Sequence, residues 1–369
     1  MFLNQIIDNF EIDVFLVLIC CSLALSSLGV FLVLKKVSMV IDAISHSVLL
    51  GITLAFLIFK DLNSPFLIIG ATSIGVLTVY LVDLIFQNTK ISKDSAIGIT
   101  FTFFFSIAII IISLWTRDVH IDTDAVFLGN IELTHIKQLY KIIPILIANI
   151  IFVFIFYKEL KIFIFDPSLT NILGFSSLII NYSLMTLSSI TTVIAFDLVG
   201  SVMTIICMIG PAAIALLLTK NLFNCWCLSL WLSFVSSSMG YFLGIIWDLP
   251  VSGLISVIIL IFFLLVLFLE PKKGIIAKLI KNNIQKKNFM IITLLMHIEN
   301  NNVKNKKNIL KEIQYDLNWS YSSYQKCILK AKKDNFIKIQ NKELLLTNLG
   351  KKFLYKKNKD FGLILKNKK

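Results

Sequence analysis

Residues 39–51 read MVIDAISHSVLLG. The run is apolar enough for lipid, yet it carries an aspartate, Asp42, and a histidine, His46, four positions apart. On an α-helix, residues four apart share a face, so a carboxylate and an imidazole stand one turn from each other. A carboxylate at the centre of a membrane helix costs about 2.5–3.5 kcal/mol on insertion scales, so it faces a bundle interior or a pathway. Two readings follow. The oxygen and the nitrogen can together hold one divalent transition metal, or the pair only joins two helices by hydrogen bonds.

Outward from this stretch, apolar runs fill most of the first 270 residues. The 369-residue chain is 57% hydrophobic with 30 phenylalanines, against about 45–50% apolar in soluble domains, and the excess lies in long runs. Nine segments reach the roughly 20 residues that a span requires: 14–34, 39–59, 64–86, 95–115, 139–157, 178–196, 199–219, 226–247 and 251–269. Backbone groups in lipid must bond within their own segment, so these are helices. If 178–219 is one bent helix, the count falls to eight. The expected fold is an all-α polytopic membrane domain over 1–270, a basic linker over 271–287, and a small module over 288–369.

Charge divides the chain at the same place. Up to Glu270 there are 11 Lys and Arg against 16 Asp and Glu; from Pro271 onward, 24 against 6. Lys35 and Lys36, Lys90 and Lys93, Lys158 and Lys161, Lys220, and Lys272 and Lys273 fall at alternate junctions, and acids mark the others. The positive-inside rule then places the N-terminus outside and the C-terminus in the cytoplasm. The acidic N-terminal stretch does not read as a cleaved signal peptide. Six cysteines form no C-x-x-C pair, so neither a zinc knuckle nor a disulfide framework is indicated.

Between the fifth and sixth spans, FDPSLTNILGFSS (165–177) is too polar to cross. Pro167 at a first turn and Gly174 at an end frame a short surface helix. Asp83 sits near one end of its helix, within reach of headgroups or a neighbouring helix. Asp197 either lines a pathway or marks the outer end of a span. In the tail, helical patterns at 288–300, 305–317 and 320–335, the third opened by Ser320 or Ser322 as a cap, precede a hairpin, FIKIQ–ELLLT, and a closing helix. That order is winged-helix-like.

Residues 28–56, LGVFLVLKKVSMVIDAISHSVLLGITLAF, resemble the membrane subunits of ABC-type manganese/zinc/iron importers. Gly29, Lys35, Lys36, Ser38, Asp42, Ala43, Ser45 and His46 carry the match. Leu50 departs from the family's usual proline before the glycine. Further matches are KDSAIGITFTFFFSIAIIIISL (93–114), FLGNI (127–131), FDPSLTNILGFSS and LVGSVMTIICMIGPAAIALLLTK (198–220), so the resemblance covers most of residues 12–270. It implies that Asp42 and His46 contact the metal in passage. It also implies that Asp166, Pro167, Leu169 and Gly174 belong to a coupling helix docking on a cytoplasmic ABC ATPase. Leu169 stands where the family often has alanine. No G-x-x-x-x-G-K-[ST] loop occurs in the sequence, so ATP hydrolysis is expected in a separate partner subunit, and this chain is read as a non-enzymatic one. An extracytoplasmic metal-binding protein and a second permease copy complete the implied assembly.

In the outer loop, His120, Asp122 and Asp124 either attract the ion by focusing negative potential or form a solvated acidic surface that meets the binding protein. No stably bound cofactor is expected beyond the transported manganese, zinc or iron, with manganese preferred. The basic tail invites a DNA-binding reading, but Arg117, outside the tail, is the only arginine, and packing on the ATPase or the inner leaflet is preferred. Rival functions are a membrane-embedded sensor controlling the tail and a gradient-driven secondary transporter.

Overall fold

An apolar run in lipid has one local way to satisfy its backbone, the helix, and helices are what these runs form. The computed structural model describes residues 11–60, 66–115, 138–271, 274–304, 306–340 and 343–360. The chain divides into two compact units, Met1–Glu270 and Pro271–Lys369.

The first unit holds α1 (Ile12–Leu34), α2 (Met39–Phe59), α3 (Phe66–Asn88), α4 (Lys93–Trp115), α5 (Leu139–Ile155), α6 (Tyr157–Phe165), α7 (Pro167–Ile172), α8 (Ser177–Leu218), α9 (Leu222–Trp247) and α10 (Val251–Leu269). Helix α1 is the centre: Leu18, Leu25, Leu28 and Phe31 are wholly buried, with α5, α8 and α9 around it. Without a hydrophobic drive between helices in lipid, small residues and hydrogen bonds decide the packing. Ser233 Oγ donates to Ser22 O at 2.8 Å, Trp226 Nε1 to Ser27 O at 2.9 Å, and Asn149 Nδ2 to Ala24 O at 3.2 Å and Thr191 Oγ1 at 2.9 Å. The α2–α3 contact closes on Gly51, where a β-carbon would stand 2.5 Å from Ala71 Cα. Helix α2 runs on through Leu50 as one element.

The stretch Ser177–Leu218, labelled α8 as a whole, is two helical arms broken at Gly200, which sits at φ 80°, ψ 171°, so residues 178–196 and 199–219 form separate arms as the sequence divides them. Seven of the described helices have the length and hydropathy to cross a membrane, or eight if α5 and α6, bent by 72° to each other, form one span. The two arms of α8 are folded onto each other. Thr192 Oγ1 lies 3.9 Å from Met208 Sδ, whereas sixteen residues of straight helix would separate them by about 24 Å. One glycine makes the reversal, with no polar loop.

The second unit holds α11 (Ile275–Val303), α12 (Leu310–Asp316), α13 (Tyr321–Lys333), the antiparallel strands β1 (Ile337–Gln340) and β2 (Glu343–Leu346), and α14 (Asn348–Asp360). In register, Ile337 faces Leu346 and Gln340 faces Glu343. Its core gathers Leu294, Leu295, Ile298, Ile313, Tyr324, Ile328, Ile337, Leu344 and Leu354. The segment expected as a linker, 271–287, is helical from Ile275 onward. Ser320 stands at the start of α13, but its hydroxyl bonds Ser323 Oγ at 3.0 Å instead of capping a backbone N–H.

Candidate metal pathway

A four-residue turn, with Lys36 at φ 60°, carries α1 into α2. Asp42 therefore falls in the first turn of α2, where the positive end of the helix dipole favours a carboxylate. His46 follows one turn on, and its Nε2 lies 3.4 Å from Asp42 Oδ1. The imidazole is stacked on Phe101 at 5.5 Å and edge-on to Phe105 at 5.8 Å, so α4 sets the ring orientation. Ser45 is turned inward, its hydroxyl spent on Ile41 O at 3.0 Å. Most of α2 is buried, but the Asp42 and His46 side chains are 47% and 31% exposed. With Met39 they make an accessible stripe on the protomer. Among the described residues no third His, Cys, Asp or Glu joins them. The pair supplies one oxygen and one nitrogen, short of the usual four ligands of a closed site. That suits a passing ion better than a resident one.

Asp83, Lys93, Asn181 and Lys35, drawn from α3, α4, α8 and the end of α1, form a half-buried chain whose mutual pairing sequence spacing does not reveal. Lys93 Nζ lies 3.1 Å from Asp83 Oδ1, Asn181 Nδ2 donates to Asp83 Oδ2 at 3.2 Å, and Lys35 Nζ donates to Asn181 Oδ1. Lys35 also sits 5.0 Å over the ring of Phe163 in α6. In the sequence Lys35 and Lys93 stand out as charge markers and Asp83 as a residue within reach of headgroups or a neighbouring helix; the neighbouring helices are what it meets. Asp197 pairs with Lys141 at 3.2 Å, half exposed, beside the Gly200 reversal.

The short helix α7 follows its local chemistry. Asp166 accepts from Ser168 N at 2.9 Å and Leu169 N at 3.1 Å, Pro167 opens the helix, and Gly174 leaves it at φ 86°. Leu169, Ile172, Leu173 and Phe165 are exposed around it. His120, Asp122 and Asp124 lie outside the described residues. In the tail, His297 approaches Asp316 at 3.3 Å, and among the described residues no metal-binding cluster includes it.

Residues 8–270 match the ABC 3 transport family, which leaves the tail outside the match. The chain belongs to that family. Two bacterial relatives of this ABC 3 permease are informative. It is 34% identical over 297 residues to the zinc transport system membrane protein TroD of Treponema pallidum, covering 78% of this chain and 81% of that one. It is 35% identical over 272 residues to the manganese transport system membrane protein MntD of Bacillus subtilis, covering 70% and 92%. Among solved structures, PsaBC from Streptococcus pneumoniae in complex with Fab matches with a TM-score of 0.65 and 27% identity, over 76% of this chain and 98% of that one. The ABC 3 permease is thus a multi-pass membrane protein of an ABC transporter.

Proposed function

We propose that this permease is the membrane-spanning subunit of an ATP-driven importer of a divalent transition metal, manganese first, with zinc or iron as alternatives. The observation that carries the reading is the 3.4 Å Asp42–His46 pair on an accessible stripe of α2. Relatives of the chain are named for zinc and manganese transport, and an oxygen-plus-imidazole set accepts all three metals. A second copy pairing along α2 would bring two more donors to the same ion, and alternating access would expose it to each side in turn. Release needs weak ligation, which two donors per protomer supply.

The partners are a cytoplasmic ABC ATPase, docked on α7, and an extracytoplasmic metal-binding protein. The N-terminus lies outside and the C-terminal module in the cytoplasm, following the lysine distribution. The C-terminal module, three helices followed by a two-stranded hairpin, is read as winged-helix-like; tail DNA binding is secondary, since the tail has no arginine. The sensor reading leaves α7 without a role, and a gradient-driven transporter would keep working after ATP depletion.

The test is accumulation of manganese, zinc and iron, measured by mass spectrometry, in cells whose other importers are deleted. Asp42→Ala and His46→Ala are expected to reduce uptake at least tenfold while the protein stays in the membrane, since even the loss of a ligand's outer-shell support costs about 10–100-fold. Wild-type uptake by both variants overturns the site.

A further inference from the structure

The tail unit carries a lysine-lined cleft to which neither the family match nor the transport reading gives a role. Helix α11 runs unbroken for 29 residues, but only its second half is packed. From Met290 onward it enters the tail core through Ile291, Leu294, Leu295 and Ile298. The core-facing stripe continues backward past the edge of that core. Ile276, Ile280, Asn283, Lys287 and Met290 follow one another at steps of four, three, four and three, which is one helical face. Ile276, Leu279, Ile280 and Ile284 on this first half are all exposed.

Where the stripe meets the core it opens into a cleft of about 320 Å³ between α11 and α13. Lys286 and Lys287 line it from one side, Lys326 and Lys330 from the other, over a floor of Met290, Ile291 and Cys327. Lys330 Nζ leans on Asn288 Oδ1 at 3.5 Å. Burial pushes the Cys327 thiol up to about 11, so the sulfur stays neutral and the charge of the cleft is that of its lysines. Residues 271–298 contain six lysines and no acid. Only five residues, 270–274, separate the last apolar helix from Ile275, a tether of about 20 Å at full stretch.

We infer that the first half of α11 lies in the interface of a lipid leaflet, with its isoleucines among the acyl chains and the phosphate of an anionic phospholipid held in the Lys286–Lys287–Lys326–Lys330 cleft. An amphipathic basic helix tied this closely to a span has the composition of an interfacial element. Lysines near an anionic surface each add to its attraction. The inference does not depend on which ion the membrane unit carries.

The test is amide hydrogen exchange of the full chain in nanodiscs of phosphatidylcholine alone and of phosphatidylcholine with phosphatidylglycerol. Amides of 276–287 are expected to exchange about tenfold more slowly, or slower still, in the anionic discs. The difference is expected to vanish in a K286E/K287E/K326E/K330E variant whose core amides 291–298 stay protected. Ile280→Asp, which leaves the cleft intact, is expected to weaken it. Equal exchange in both lipids overturns the inference, as does protection that survives the four substitutions. Protection by glycerol phosphate in neutral discs would make the site one for soluble phosphates and overturn the lipid assignment. Protection indifferent to lipid charge would mean that protein covers the stripe.

Discussion

At the scale of single residues, Asp42 and His46 stand one helical turn apart with 3.4 Å between carboxylate and imidazole. Asp42 and His46 meet because four residues make a turn, so their contact follows from spacing alone. Asp83 meets Lys93 and Asn181, and through Asn181 is linked to Lys35, only because four helices come together at one place, which no spacing reveals. Gly200 is another case. Its φ of 80° and ψ of 171° belong to a region essentially closed to side-chain-bearing residues. Val199 and Ser201 on either side are buried, leaving little room to relax. Gly200→Ala is expected to cost about 1–3 kcal/mol, seen as a lower unfolding midpoint in detergent. Gly98→Ala and Gly253→Ala serve as controls, because a β-carbon at either meets open space; a midpoint for Gly200→Ala equal to theirs removes the argument.

At the scale of elements, an end was readable where its own residues make it. Helix α7 announces itself through an aspartate cap, a proline at the first position and a glycine beyond the end. The reversal inside α8 is legible only as a span boundary near Asp197, because hydropathy places the break between 196 and 199 but does not single out Gly200 as the hinge. The tail helix α11 was divided in sequence at a change of composition, yet an unbroken helix crosses that change. Six residues are too few for a helix to hold by itself, so α7 depends on its cap. Asp166→Ala removes the acceptor for two backbone N–H groups, worth about 0.5–2 kcal/mol. If α7 docks on the ATPase, Asp166→Ala should lose most co-purifying ATPase while Asp166→Asn, which still caps, keeps it. Identical recovery with both variants would separate α7 from that partner.

At the scale of the whole molecule, composition marked the division and the cores obey it. The charge balance reverses after Glu270, the family match ends at residue 270, and the compact units meet between Glu270 and Pro271. The membrane core draws its buried residues from Val14 to Ile259, and the tail core from Ile291 to Leu354, with none shared. Cores that share no side chain have no packing reason to melt together. The chain should therefore unfold in two transitions by calorimetry in detergent. Leu295 and Leu25 are both fully buried, and a large-to-small change at such a site costs about 2–5 kcal/mol. Leu295→Ala is expected to lower only the tail transition and Leu25→Ala only the other. A single transition shifted by both variants would mean that the two cores fold as one cooperative body.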